Sequence, residues 1–264
     1  MREVDISRAS SAPPVLEVRG LRKRFKGNQV LRGVTGCVTR GAATALIGSN
    51  GAGKSTLLNI ISGLLSSDEG TILLNGRDIT GRSGFSRARD GMGRTFQHPR
   101  AFTSLTVREA VLMARTPPGD EGIGSNLARA LGVLRKAPEL DRQRVQECLE
   151  ICRLDHLSDV TADRLSYGER KLLMFAQVLA FDRDLICLDE LCAGLEANVV
   201  EYLMGVFSEL VRNGTTILFV EHNLELVREL ADEIVFLHEG TIYRSGSAGS
   251  VLEDSEVISL YLGE

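Results

Sequence analysis

One segment decides the fold: residues 43–55 have the sequence ATALIGSNGAGKS. The apolar run Ala43–Ile47 predicts a short buried strand, a glycine-rich loop follows it directly, and Lys54–Ile61 has the apolar spacing of a helix. A strand, a glycine-rich loop and a helix in this order are the context that a phosphate-binding P-loop requires. The segment therefore predicts an α/β protein that binds a nucleotide.

The residue types of the loop indicate how it would bind phosphate. Gly48, Gly51 and Gly53 allow a tight turn that aims several backbone N–H groups at one phosphate, and the helix adds its positive end. Lys54 supplies a cation to the β- and γ-phosphates, and Ser55 offers a hydroxyl group to Mg²⁺. The predicted nucleotide-binding segment comprises Gly48, Ser49, Asn50, Gly51, Ala52, Gly53, Lys54, Ser55 and Thr56.

Strands and helices alternate in the sequence on both sides of a helical middle. Before the middle, residues 15–19 alternate like a strand and residues 70–76 predict a strand and a turn. After it, strands are predicted at Leu185–Leu188, Thr216–Val220 and Glu233–Leu237, and helices near Val199–Arg212 and Leu224–Ala231. Such alternation implies a largely parallel sheet that binds ligands at the carboxyl ends of its strands.

The middle of the chain predicts a helical subdomain inserted into this sheet domain. Apolar spacings of three and four predict helices at Thr106–Ala114, Asp141–Cys152 and Gly168–Ala180, with a loop at residues 116–124. We expect the subdomain to span about residues 98–180, between core segments 15–95 and 181–264. Residues 1–14 have no apolar periodicity and predict a flexible leader.

Four polar side chains are expected beside the phosphates. Asp189 ends an apolar strand, where a carboxylate suits the Mg²⁺ side of the site, and Glu190 can polarise the attacking water as a general base. His222 follows another strand and can hydrogen-bond the γ-phosphate and hold the water in line. Gln97 lies at the seam between sheet and insert, where its amide can contact Mg²⁺ or water.

Composition excludes several classes of function. The chain has 264 residues and a net charge of −4 with mixed signs, so it offers no polybasic face for nucleic acid. No stretch approaches the roughly 20 apolar residues that span a bilayer, and the start lacks the apolar core of a signal peptide. We expect a cytoplasmic location, and five cysteines without a CxxC pair that are reduced.

A second motif narrows the class of nucleotide-binding protein. Residues 165–171 have the sequence LSYGERK and lie between the P-loop and Asp189. A Leu-Ser-x-Gly-Glu helix start ahead of an acidic strand end is far rarer than a P-loop alone. The combination resembles the ATPase subunits of ATP-binding-cassette (ABC) transporters, and the resemblance covers Val15–Glu264.

The resemblance implies a P-loop NTPase fold with a RecA-like parallel-sheet core, a small N-terminal antiparallel β subdomain and an inserted helical subdomain. It implies ATP and Mg²⁺ as cofactors. The residues implied in hydrolysis are Glu190, His222 and Lys54, and those implied in holding the metal are Ser55, Gln97 and Asp189.

The resemblance also implies how two chains would share nucleotide. The turn made by Ser166, Tyr167, Gly168 and Glu169 would cap the ATP held by a partner's P-loop, and Phe25 would stack on adenine. The implied partners are membrane permease subunits, a second ATPase subunit in a head-to-tail homodimer or heterodimer, and indirectly an external solute-binding protein. The chain would then be peripheral, at the cytoplasmic face of the inner (plasma) membrane.

Further details resemble one branch of the family. Residues 94–100, the Tyr in the signature, the long stretch 115–140 and the ending 257–264 are similar to the ATPase subunits of branched-chain amino-acid importers. Relatives of these subunits serve urea and other small polar solutes. Two positions depart from the family pattern: Leu191 replaces the proline after the catalytic Glu, which should loosen a turn, and Glu196 replaces a later Asp.

Other classes of function remain as alternatives. An ATP-dependent clamp in DNA repair or translation would predict long coiled coils or two cassettes, and a GTP switch would predict a guanine motif, and the sequence has none of these. A binding-only cassette stays open, as do a urea or amide importer and a non-transport ABC ATPase. The solute and the choice between homodimer and heterodimer also stay open.

Overall fold

The structure is a computed structural model that describes residues 13–95, 104–115, 138–181 and 183–262. These residues form two compact units. Unit 1 contains the chain up to Arg94 and again from Asp184, and unit 2 contains the residues from Thr95 to Arg183.

Elements are numbered along the chain. The described strands are β1 (Pro14–Phe25), β2 (Asn28–Thr39), β3 (Ala43–Ile47), β4 (Glu69–Leu74), β5 (Arg77–Asp78), β6 (Met92–Arg94), β7 (Leu185–Asp189), β8 (Thr216–Val220), β9 (Glu233–His238) and β10 (Thr241–Ser247). The described helices are α1 (Lys54–Ile61), α2 (Gly84–Arg89), α3 (Val107–Arg115), α4 (Glu139–Ile151), α5 (Tyr167–Leu179), α6 (Ala197–Arg212), α7 (Leu224–Leu230), α8 (Ala248–Leu252) and α9 (Ser255–Leu262).

A six-stranded sheet in the order β10-β9-β3-β8-β7-β6 forms the centre of unit 1. All neighbouring strands are parallel except β10, which pairs antiparallel with β9. Every residue of β3, β7 and β8 is buried, as expected for parallel strands covered on both faces. Because these three strands are adjacent and parallel, the loops after Ile47, Asp189 and Val220 meet at one edge of the sheet.

A second, four-stranded antiparallel sheet has the order β2-β1-β4-β5. Residues of both sheets belong to one hydrophobic cluster, for example Leu16 of β1, Leu46 of β3 and Leu218 of β8. Helix α1 lies in the same cluster through Leu57 and Leu58. Each fully buried aliphatic side chain contributes about 1.5–3 kcal/mol, so this packing rather than helix propensity holds the short α1 in place.

Unit 2 packs α3, α4 and α5 around a small core of its own. Val111, Leu149 and Phe175, one from each helix, are buried. Gln177 of α5 donates a hydrogen bond to the Ala110 carbonyl oxygen at 3.0 Å, which ties α5 to α3. None of the helices described in either unit has the length and apolar character that a membrane span requires.

Most of the strand and helix predictions are confirmed. β3, α1 and β8 have the predicted bounds, whereas β1 begins at Pro14, one residue earlier than predicted, and continues to Phe25. Its extra length comes from antiparallel pairing with β2 and β4. The sequence did not predict β2, β5, β6, β10, α2, α8 or α9. β2 is interrupted by two glycines and no residue of β10 is buried, so neither shows a clear alternation.

Arg87 binds the carboxyl end of α1 from outside that helix. It is buried in α2 and donates from Nη1 to the carbonyl oxygens of Ile60 at 2.7 Å and Ile61 at 2.6 Å. Burial lowers the pKa of Arg87, and the negative charge of Asp78 opposes that shift. Helix α1 has no basic residue in its own last turn, so Arg87 satisfies orphan carbonyls and complements the helix dipole.

We expect Arg87→Met to lower the free energy of unfolding by about 3 kcal/mol, because several buried carbonyl groups would lose their donor. The matched control is Arg89→Met, since Arg89 is exposed on the same helix, and its change should stay within about 0.5 kcal/mol. Urea denaturation followed by circular dichroism measures both. Equal losses in the two variants would contradict the role given to Arg87.

Candidate active site

The glycine-rich loop joins the end of β3 to the start of α1. A Cβ atom added at Gly48 would lie 2.1 Å from the carbonyl oxygen of Leu237 in β9, so no side chain fits there. Gly51 has a φ of +80° but no atom within 4 Å of an added Cβ, so backbone conformation rather than space requires glycine. The loop therefore starts tightly against the sheet and is open to solvent at Gly51.

Lys54 closes the loop on itself. Its Nζ donates hydrogen bonds to the carbonyl oxygens of Gly48 at 2.6 Å and Ser49 at 3.0 Å. Burial lowers the pKa of Lys54, and the negative charge of Glu190 opposes this shift. The ammonium group is thus held within the loop, where the negative charge of Glu190 favours its protonated form.

Asp189 ends β7 as a buried carboxylate. Arg94, the last residue of β6, donates from Nη2 to Asp189 Oδ2 at 3.0 Å, and both side chains are almost fully buried. Burial raises the pKa of Asp189, while the charge and hydrogen bond of Arg94 lower it. Nη1 of the same guanidinium donates to the Leu58 carbonyl oxygen at 2.9 Å and to the Ser62 hydroxyl group.

Glu190 and His222 are in direct contact. His222 Nε2 lies 2.8 Å from Glu190 Oε1, and the two residues follow neighbouring strands β7 and β8. Glu190 has a φ of +49°, a left-handed conformation that costs a residue with a side chain about 1–2 kcal/mol. Its N–H donates to the Val220 carbonyl oxygen at 3.0 Å, which holds the strained residue in place. Such strain is common at functional sites.

The segment Ser166–Glu169 forms the start of α5 in unit 2. Ser166 is the N-cap: its Oγ accepts from Glu169 N at 3.3 Å, and Glu169 Oε2 accepts from Ser166 N at 2.7 Å. Tyr167 is 52% exposed, with Lys171 Nζ 5.3 Å from its ring centroid. A helix N-terminus favours an anion, and at this one the capping box already occupies the N–H groups of Ser166 and Glu169.

Phe25 lies at the end of β1 and is 43% exposed. Lys23 Nζ is 5.6 Å from its ring centroid and also donates to Asp68 Oδ1 at 2.8 Å. An exposed aromatic ring can stack on a planar ligand.

The other predicted residues differ in their placement. Gln97 lies outside the described residues. Gly53 is the left-handed residue before α1, with a φ of +104°. In the loop and the first turn of α1, Asn50 and Ser55 are exposed and Ala52 is buried. Ser49, Thr56 and Gly168 are half-buried.

The sequence patterns indicated no role for Arg94 or Tyr261, although Arg94 lies in the stretch 94–100 and Tyr261 in the ending 257–264. Arg94 contacts Asp189, which is 95 positions away, and Tyr261 contacts His222, which is 39 positions away. No local pattern marks such pairs, because they form only when the sheet and the C-terminal helix are in place.

The residues at this edge fit Mg²⁺ in their chemistry. Ser55 and Asp189 offer oxygen atoms, which a hard cation prefers. The described residues contain no group of three or more His, Cys, Asp and Glu that would hold a metal by itself. Mg²⁺ bound through one or two protein ligands together with substrate phosphates needs no such cage.

The fold and these motifs agree with a known family. A family model described as ABC transporter matches residues 31–193, more than half of the chain. The chain belongs to the ABC transporter family. The resemblance predicted from the motifs and the predicted P-loop NTPase fold are both confirmed, and the chain is an ATP-binding ATPase subunit coupled to transport.

Similar ABC proteins match along nearly the whole chain. A probable branched-chain amino acid transport ATP-binding protein LivG of Archaeoglobus fulgidus is 34% identical over 250 residues, covering 94% of this chain and 95% of that protein. The high-affinity branched-chain amino acid transport ATP-binding protein LivG of Escherichia coli K12 is 34% identical over 252 residues. The match covers 95% of this chain and 98% of that protein. The crystal structure of a nucleotide-free ATP-binding cassette from an ABC transporter has a TM-score of 0.82 at 31% identity, covering 96% of this chain and 100% of that chain.

Two glycine substitutions test separately the close packing and the backbone conformation of the glycine-rich loop. Gly48→Ala should abolish binding of a fluorescent ATP analogue, because its Cβ would displace the loop from the Leu237 carbonyl group. Gly51→Ala meets open space and should cost only about 1 kcal/mol of backbone strain, so binding should weaken far less. Fluorescence titration and thermal unfolding measure both variants. Equal losses of affinity would contradict the close approach at Gly48.

Proposed function

We propose that this ABC cassette hydrolyses ATP with Mg²⁺ to power uptake of branched-chain amino acids. Two observations support the two parts of the proposal. The contact of 2.8 Å between His222 and Glu190, at the same sheet edge as the P-loop, supports hydrolysis. The LivG relatives, which match more than nine-tenths of this chain, support the amino-acid solute.

The P-loop would hold the ATP phosphates. Lys54 already lies within the loop, where the two carbonyl groups that it contacts can give way to phosphate oxygens of greater charge. Ser55 and Asp189, with Gln97, would hold Mg²⁺, which supplies a positive charge to the phosphates when bound. Phe25 would stack on the adenine ring.

Glu190 would act as the general base. Its carboxylate would accept a proton from water as that water attacks the γ-phosphorus and the bond to the bridging oxygen breaks. His222 orients the carboxylate through their hydrogen bond and would contact the γ-phosphate. The strained φ of Glu190 fixes its backbone, which reduces the freedom that the base must lose in the transition state.

Ser166 to Glu169 would complete the site of a second cassette. Their helix start is exposed in unit 2 and has the donor chemistry that binds a phosphate. We propose that units 1 and 2 correspond to a nucleotide-binding core and an inserted helical subdomain within one cassette spanning 15–264. The working assembly would be two cassettes arranged head to tail on membrane permease subunits, at the cytoplasmic face, with solute delivered by an external binding protein.

Uptake by reconstituted vesicles tests the function. The chain, reconstituted with permease subunits, a second cassette and the solute-binding protein of its transporter, should give ATP-dependent accumulation of labelled leucine, isoleucine or valine. Glu190→Gln should keep ATP binding and lose hydrolysis and uptake by about 10²-fold or more, since the amide cannot accept the proton.

The same assay separates the alternatives. Accumulation of urea or an amide without leucine would overturn the amino-acid assignment. Hydrolysis without transport of any of these solutes would favour a non-transport ABC ATPase. Normal turnover by Glu190→Gln would contradict the assignment of the base, and an inactive native assembly with tight ATP binding would favour a binding-only cassette.

Ser166→Arg tests whether two chains share each ATP. The isolated variant should bind ATP within about twofold of the native chain, because its P-loop is unchanged, but lose ATP-driven dimerisation and hydrolysis. Light scattering and phosphate release measure the two losses. Lys54→Ala is the matched control, since it should lose ATP binding itself.

Mixing the two variants sharpens the test. A Lys54→Ala chain and a Ser166→Arg chain together retain one intact P-loop facing one intact signature, so activity of about one site per heterodimer should return. If Ser166→Arg weakens ATP binding by the isolated chain as much as Lys54→Ala does, the signature acts within one chain and the shared-site proposal fails.

A further inference from the structure

The C-terminal helix α9 contacts the loop that carries His222. Tyr261, in the last turn of α9, donates a hydrogen bond from its hydroxyl group to the His222 carbonyl oxygen at 3.1 Å. The ring of the same histidine is 2.8 Å from Glu190 Oε1. We infer that Tyr261 is a positioning residue for ATP hydrolysis: its hydroxyl group fixes the His222 peptide and thereby aims the ring at Glu190.

The neighbours of His222 in its loop are held by other groups. Glu221 is buried, and its Oε1 accepts from the Cys192 N–H at 3.0 Å. Asn223 Oδ1 accepts from the Glu225 N–H at 2.9 Å and so caps α7. With residues 221 and 223 anchored in this way, the peptide group after His222 is the part of the loop that Tyr261 controls.

Helix α9 is itself docked firmly enough to act as a support. Asp254 Oδ1 accepts from the Glu256 N–H at 2.9 Å at the start of the helix. Val257 in the first turn of the helix is buried, and this packing docks α9. Tyr243 of β10 adds only an exposed hydrogen bond, from its hydroxyl group to Glu256 Oε2 at 2.6 Å. The support for Tyr261 therefore comes from the buried packing of α9 and does not require the Tyr243 hydroxyl group.

The chemistry of Tyr261 suits a permanent donor. Burial raises the pKa of its phenol, so the hydroxyl group stays protonated at neutral pH. The contact is near the surface, with 46% of the His222 side chain exposed, so water can replace the lost hydroxyl group in a Phe variant. Removing the hydroxyl group should therefore alter the direction of the peptide more than the stability of the fold.

Histidine NMR tests the positioning directly. The chain has four histidines, and ¹⁵N-labelled protein with His222→Gln as the assignment variant identifies the His222 ring signals. Tyr261→Phe should shift or broaden the His222 ring signals. Tyr243→Phe is the matched control: it removes a hydroxyl group from the other end of α9 and should perturb His238, whose ring centroid is 6.2 Å away, but not His222.

Kinetics test the consequence, which rests on the proposed role of His222 in hydrolysis. Tyr261→Phe should lower kcat by about three- to tenfold, the effect of one hydrogen bond, while KM for ATP changes by less than about twofold because the P-loop is untouched. In a His222→Ala background the same change should have no further effect, whereas Tyr243→Phe should leave kcat at the native value.

Each outcome decides a separate point. His222 signals that are identical in Tyr261→Phe and native protein would overturn the inference, as would equal perturbation by Tyr243→Phe. A shifted spectrum with unchanged kcat would overturn the link to hydrolysis. Normal turnover by His222→Ala would instead contradict the proposed function of His222, and the NMR result would still show whether Tyr261 positions the ring.

Discussion

The buried ion pair between Arg94 and Asp189 is the interaction on which the rest of the site depends. Taking two charges out of water costs several kcal/mol per ion, and the pair repays this only with good geometry and further hydrogen bonds. Here the guanidinium is 3.0 Å from the carboxylate and also binds the Leu58 carbonyl group and the Ser62 hydroxyl group. β6, β7 and the end of α1 must therefore come together for either charge to be tolerated.

Helix α1 is held by one set of groups at its start and by another along its second half. Lys54 opens α1 within the P-loop, and Leu58 and Ser62 at the other end share a partner with Asp189. Arg87 holds the Ile60 and Ile61 carbonyl groups at that end. An eight-residue helix is marginal by itself, so its position is set by these two arginines and by the hydrophobic cluster. The loop and the acid are thereby fixed relative to each other.

The sequence was sufficient to predict features that depend on residues close together in the chain. The P-loop, the bounds of α1 and the strands that end in Asp189 and before His222 follow from short apolar runs and glycine spacing. It was insufficient for β2, whose glycines hide its alternation, and for β10, which buries no side chain. It was also insufficient for Arg94 and Tyr261, whose partners lie far along the chain. A buried arginine and an ordinary surface arginine look alike until tertiary packing places a carboxylate beside one of them.

The departure at Leu191 shows how packing can take the place of a local constraint. A proline would fix φ in the turn after Glu190. In this chain Leu191 is buried, Ala193 N donates to the Glu190 carbonyl oxygen at 3.3 Å, and Cys192 N donates to Glu221 Oε1 at 3.0 Å. The last bond links the turn that follows Glu190, the proposed base, to the loop that carries His222. Since the two loops are thus joined through Glu221 as well as through the Glu190–His222 contact, the turn needs no proline to stay in register with the histidine.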